Sequence, residues 1–317
     1  MSLLPSVISI KGPVLIAGAG GGFDFFCGLP IVLELEEAGH EVFLANYSFT
    51  DLFAVEQAHK MADNFFQVDA DSFLSEGDYF PEKLLCRWYR EVRNKDVAIY
   101  CFGRQGVAPL LEHYNWIIEK HQIDTVICID GGVDGIFRGD EHDLGTPSMD
   151  SISVITTSLC NARQKIYCCT AFGSEGAEGK VSHAQALARM ADLTRVGASL
   201  GVGQVLPQTE IGRTFIDAAE SVFSWLPSIK RSIIVSTILA SMNGRFGRTS
   251  VTAKTRERKP WISPLQSLYW YFDANAVAKM KLFYNEVIAS TTVAEVVEAI
   301  EKLREEQGTK SYEEIPI

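Results

Sequence analysis

Through its first 175 residues the chain alternates short apolar runs with stretches of helical periodicity, and few architectures accommodate that pattern. The runs Val14 to Ala19, Glu41 to Tyr47, Phe65 to Val68, Val97 to Phe102, Thr125 to Asp130 and Lys165 to Phe172 have the length and side-chain content of strands. Helical patterns fall around Leu29 to Ala38, closed by Gly39, and over Lys83 to Arg93 and Pro109 to His121. A helix between two strands carries the chain back across the sheet face, so successive strands run parallel. The expected class is α/β, with a doubly wound, mostly parallel sheet.

Beyond residue 180 the pattern turns mainly helical. Leu187, Met190, Val196 and Leu200 have helical spacing, as do Ile211, Phe215, Ala218, Val222 and Leu226. A second strand-like section, Thr249 to Thr255 and Leu268 to Phe272, precedes a last helix with Val293, Val296, Val297, Ile300 and Leu303 inward. The expected organisation is a Rossmann-like core over residues 1–180, with residues 181–317 packed on that core as one compact unit. No repeat or linker separates the two parts.

Composition narrows the classes of function. With 317 residues, 47% of them hydrophobic, the chain can bury a large core. Its 29 basic and 40 acidic residues give a net charge of -11, which disfavours nucleic acid and anionic membranes as partners. Cysteines 27, 86, 101, 128, 160, 168 and 169 form no CxxC pair and sit mostly in apolar runs, as reduced thiols of an intracellular protein do. The N-terminus lacks a basic start ahead of its first apolar run, and Ile233 to Met242 is too short to cross a bilayer. A soluble cytoplasmic protein is expected.

Four strand ends carry glycine-rich turns: Gly18 to Gly22, Gly103 to Gly106, Gly131 to Gly135 and Gly173 to Gly179. In a doubly wound sheet these share one edge, where ligands bind. The amides of Gly18, Gly20, Gly21 and Gly22 could cradle a phosphate, or merely pack the first helix on the sheet. Asp24 projects into the site or caps that helix. Asp130 and Asp134, on the turn with Gly131 and Gly132, could ligate Mg²⁺, or one could act as a general base. Asp140 and Glu141 join them as catalytic candidates, against the alternative that such acids form Asx-turns and caps. Arg104 could pair with a phosphate or carboxylate, and Glu178 with substrate hydroxyls; both could equally be surface residues.

Several familiar signatures fail. A dinucleotide fingerprint finds Phe23 at its third glycine and no acid closing the second strand, so NAD(P) is the less favoured cofactor. A P-loop on Gly173 to Lys180 finds Ser174 and Val181 where Gly and Ser or Thr belong. His142 has no second histidine at ligand spacing, so zinc is not expected. The basic segment Arg245 to Lys259 could admit an anionic substrate, but reads more simply as the outer face of an edge strand. Tyr269 to Phe272 reads as core or as a subunit interface of a homo-oligomer.

Taken together, Gly18-Ala19-Gly20-Gly21-Gly22-Phe23-Asp24, Asp130-Gly131-Gly132-Val133-Asp134-Gly135, Gly139-Asp140-Glu141 with Thr146-Pro147-Ser148, and Gly176-Ala177-Glu178-Gly179 resemble an uncharacterised prokaryotic domain family of unknown function. The resemblance covers nearly the whole chain, including Gly244 to Gly247. Phe23 stands where the family's loop often has a fourth glycine, and Glu178 where Gly-x-Asp-Gly is usual. The resemblance implies a fold and a site but no activity. From the residues themselves the leading expectation is an enzyme acting on a small anionic, phosphorylated metabolite, by hydrolysis or group transfer with Mg²⁺. The alternatives are an NAD(P)-dependent oxidoreductase and a non-catalytic small-molecule sensor.

Overall fold

In the computed structural model, which describes residues 2–75, 77–174 and 181–315, β1 (Val14–Gly18) leads through α1 (Asp24–Cys27) and α2 (Leu29–Glu37) to β2 (Val42–Tyr47). A hairpin of β3 (His59–Ala62) and β4 (Phe65–Val68) precedes α3 (Pro81–Arg93), β5 (Ile99–Phe102), α4 (Val107–His121) and β6 (Thr125–Asp130). Then come α5 (Pro147–Leu159), β7 (Gln164–Thr170), α6 (His183–Arg195), β8 (Ser199–Gln204), α7 (Glu210–Ser224) and α8 (Ile233–Met242). The chain ends with the short pair β9 (Gly247–Arg248) and β10 (Trp261–Ile262), then β11 (Leu268–Asp273), α9 (Ala274–Met280), α10 (Tyr284–Val287) and α11 (Val293–Gln307).

A nine-stranded sheet has the order β3-β4-β5-β2-β1-β6-β7-β11-β8. Its centre, β5-β2-β1-β6-β7, is parallel, and both flanks are antiparallel. Strand β1 is buried at every position, as a strand covered on both faces must be. Val14 and Ile16 face one layer with α2, α3, α7 and α8, while Leu15 and Ala17 face the other with α4, α5, α6, α9 and α11. The result is an α/β/α sandwich with two cores, one on each side of the sheet.

The flanks depart from the expected pattern for local reasons. No helix separates β2 from β4; the chain instead turns back at Asn64, whose φ of 54° closes the β3–β4 hairpin, so β4 enters antiparallel to β5. On the other side the helical spacing through Leu200 breaks at Gly197, whose φ is 73°. Val196 is therefore exposed after α6, and Leu200 lies in β8. Thr249 to Thr255 is not a strand: β9 precedes it, and Thr252 and Thr255 close a single 3₁₀ turn through reciprocal hydrogen bonds. Tyr269 and Tyr271 of β11 are fully buried in the core. No helix among the described residues is long and apolar enough to cross a membrane.

One topological fact positions the site. From β1 the chain builds outward through β2 to one side, then returns by α4 to lay β6 against the other side of β1. The loops leaving β1 and β6 therefore diverge to opposite faces and open a crevice between them, at the switch point of the sheet. The register pairs Gly18 with Ile129, and Ala19 N–H donates to Ile129 O at 2.9 Å. The two glycine-rich turns start side by side.

Candidate functional site: four carboxylates at the switch point

The turn after β1 folds around its own acid. Asp24, at the start of α1, accepts a 2.7 Å hydrogen bond from Gly20 N–H on Oδ2. The amides of Gly131 and Gly21 add to the stabilisation of its charge. This bears on the anion-cradle expectation for Gly18 to Gly22: the Gly20 and Gly21 amides serve an internal carboxylate. Helix α1 has only four residues, too few to sum into a useful dipole.

Asp130 is the last residue of β6. Its Oδ2 accepts from Gly135 N–H at 3.0 Å and from the Tyr167 hydroxyl at 2.5 Å. Asp134 opens the 3₁₀ turn Asp134–Ile136, and its Oδ2 accepts from Thr146 N–H at 2.9 Å. Thr146 then uses its hydroxyl on Asp150 Oδ2 at 3.1 Å, tying the Asp134 loop to the first turn of α5. Pro147 at the start of α5 fixes that helix entry, and Asp150 four positions into the chain after Thr146 turns back toward the crevice. One oxygen from each of Asp24, Asp130 and Asp150 lies within 4.8 Å of the others, a grouping able to hold a metal ion. Gly20 makes the grouping possible: a Cβ there would collide with the carboxylate oxygens of both Asp150 and Asp24.

Enclosure of like charges has the expected electrostatic effect. Burial, reinforced by Asp130, raises the Asp24 carboxyl well above the ordinary range, against the opposing amides. Burial likewise raises Asp150, with Asp134, Asp130 and Asp24 adding to it and Lys281 opposing. Lys281 is buried behind the site, donating from Nζ to Gly135 O at 2.9 Å and Phe137 O at 3.1 Å. Burial lowers its own pKa, and Asp150, Glu141, Asp130 and Asp134 oppose that shift. A cation on the floor would replace protons on Asp24 and Asp150, so its affinity should rise with pH.

These acids form the floor of a cavity of about 610 Å³. Gly20, Gly21, Asp24, Asp130, Gly131, Gly132 and Asp134 line it together, so the two loops read from the sequence do converge. Gly18 instead packs under Asn46 and Phe25, and Gly22 against Tyr79 and Phe49. Asp140 and Glu141 are absent from the cavity wall. Glu141, fully buried, accepts from the amides of Arg138 and Gly139 at 3.0 Å and pairs with Arg189 at 3.8 Å; Asp140 pairs with Lys310 at 2.9 Å. Arg104 is exposed and also outside the cavity, and Glu178 lies outside the described residues.

Two charged lining residues, Asp150 and Arg231, carry no sequence motif, and a third, Lys254, does lie in a segment the sequence marks. Asp150 carries no glycine-rich turn to mark it, although an acid in the first turn after Thr146-Pro147 is a recognisable signal. Arg231 sits just ahead of α8, in a stretch with no motif. Lys254 belongs to the basic segment whose sequence allows either admission of an anionic substrate or the outer face of an edge strand; it lines the cavity from a 3₁₀ turn.

A family model described as "Protein of unknown function (DUF1152)" matches residues 15–313. No curated protein matches the chain. No solved structure matches it either.

Proposed function

The chain belongs to the DUF1152 family, and from that premise we propose that it is an enzyme binding a small phosphorylated metabolite through a divalent cation, and hydrolysing it or transferring a group from it. The observation that carries the reading is the approach of Asp24, Asp130 and Asp150 oxygens to within 4.8 Å of one another on the cavity floor. Carboxylates this close repel one another, and Mg²⁺ is a common bridge between carboxylates and phosphate oxygens. The bound cation would draw negative charge from the phosphoryl group. Asp134, held by Thr146 beside the trio, has the position to accept the proton of an attacking water or hydroxyl as the phosphorus–oxygen bond to the leaving group breaks. The engagement of the β1 loop amides by Asp24 weakens the case for a dinucleotide, whose pyrophosphate needs those donors.

A thermal-shift screen of nucleotides and sugar phosphates, with and without Mg²⁺, tests the reading. With Mg²⁺ present, a ligand at about 100 times its Kd should stabilise the fold by roughly 2.7 kcal/mol, and by less without the cation. If no phosphorylated compound raises the melting temperature under either condition, the reading fails.

A further inference from the structure

We propose that the wall of the same cavity formed by Arg231, Lys254 and the start of α8 is a phosphate subsite, so that the substrate carries a dianionic phosphoryl group between this wall and the carboxylate floor. The inference rests on the cavity being a substrate site, as argued above, and adds which part of the substrate goes where.

Both cations line the cavity in a protein with a surplus of acids. Neither has a carboxylate partner among the described residues, although Lys230, next to Arg231 in the chain, pairs with Asp78 at 3.2 Å. The Arg231 guanidinium lies over the Phe223 ring, 5.8 Å from its centroid, and its Nε is buried without a hydrogen-bond partner. Packing against a ring on one side leaves the planar fork of donors for something else, and a phosphate matches that fork bidentately. The turn Ser228–Lys230 packs against Ala253–Thr255, which brings the Arg231 and Lys254 segments together. Lys254 is exposed, at the mouth.

Helix α8 adds its terminus to these side chains. Ser232 caps it, accepting from Val235 N–H at 3.2 Å, while Ser232, Ile233 and Ile234 line the cavity. Its first amides have no intrahelical partner and point away from the helix body. The first turn packs close to the β6 loop, so that a Cβ on Gly131 would meet Ile234. The Ser174 hydroxyl, hydrogen-bonded to Thr237 at 2.5 Å, joins the turn that follows β7 to the same helix. The cationic wall thus adjoins the acidic floor. Two full positive charges and a helix terminus favour a dianion over a monovalent carboxylate.

Calorimetric titration of the full chain with inorganic phosphate, in the absence of divalent cations, tests the subsite by itself. Saturable binding is expected, weakened roughly tenfold or more in R231Q and in K254Q. Acetate at matched ionic strength should not compete. Mn²⁺ titrations of the same proteins, without phosphate, read the floor separately, so the two readings can fail independently. The subsite is overturned if wild type shows no saturable phosphate binding, if both variants bind phosphate as wild type does, or if acetate competes as well as phosphate. Should R231Q fail to fold, K254Q, altered at an exposed side chain, decides the matter.

Discussion

Two groups of acids lie at and beyond the end of β6, within a dozen residues of one another, and the protein places them differently. Asp140 and Glu141 are matched: Lys310 pairs with the first, and Arg189 and two backbone amides hold the second. Asp130 and Asp134 instead meet Asp24 and Asp150, brought from β1 and α5, on the floor of a cavity. There burial and like charges raise the Asp24 and Asp150 carboxyls. A matched acid holds a loop in place. Acids gathered in one cavity repel one another, and on the proposed reading a cation among them would lower that repulsion.

Breaking the matched group should cost the fold most. Removing a buried carboxylate leaves Arg189 and the amides of Arg138 and Gly139 without their acceptor, so E141A should lose about 3 kcal/mol in urea unfolding. Cation binding should survive below the melting temperature. If E141A instead abolishes cation binding in a folded protein, the two groups are not separate.

A smaller effect on stability but a larger one on binding is expected from G20A. The added methyl collides with the Asp24 and Asp150 carboxylates, and should weaken Mn²⁺ binding roughly tenfold while costing about 1–2 kcal/mol of stability. Unchanged Mn²⁺ affinity would mean that those two oxygens are not ligands.

The mildest test uses pH. A carboxyl raised in the folded state binds more protons than in the unfolded state, so its contribution is full below the ordinary carboxylate range and is lost as pH climbs through its raised value. Without cation, D150N should therefore gain melting temperature over wild type as pH rises from 5 to 8. A difference that is constant across that range would show that Asp150 does not titrate there.

The parts of the molecule legible in sequence were those where local chemistry and topology agree. The glycine turns after Gly18 and Asp130 mark strand ends by their backbone needs, and parallel packing puts both at one edge. The flanks were harder. β8 reads Ser-Leu-Gly-Val-Gly-Gln, with two glycines and an exposed Val202, because an edge strand needs neither apolar continuity nor high propensity. Asp150 was hard to assign for another reason: its helix-start position is legible, but it reaches the floor only through the tertiary placement of α5 by Thr146. The sequence leaves two roles open for the β1 loop, because it does not show that Asp24 folds back onto Gly20 N–H.

The central claim is that the β1, β6 and α5 acids form one cation site and the Asp140–Glu141 pair does not. Titration of the full chain with Mn²⁺ by calorimetry, at pH 7.5, tests it most directly. One saturable site is expected in wild type, weakened at least about 100-fold in D24N, D130N and D150N and unchanged in D140N. Absence of a saturable site in wild type, or wild-type affinity in both D24N and D150N, would contradict the account.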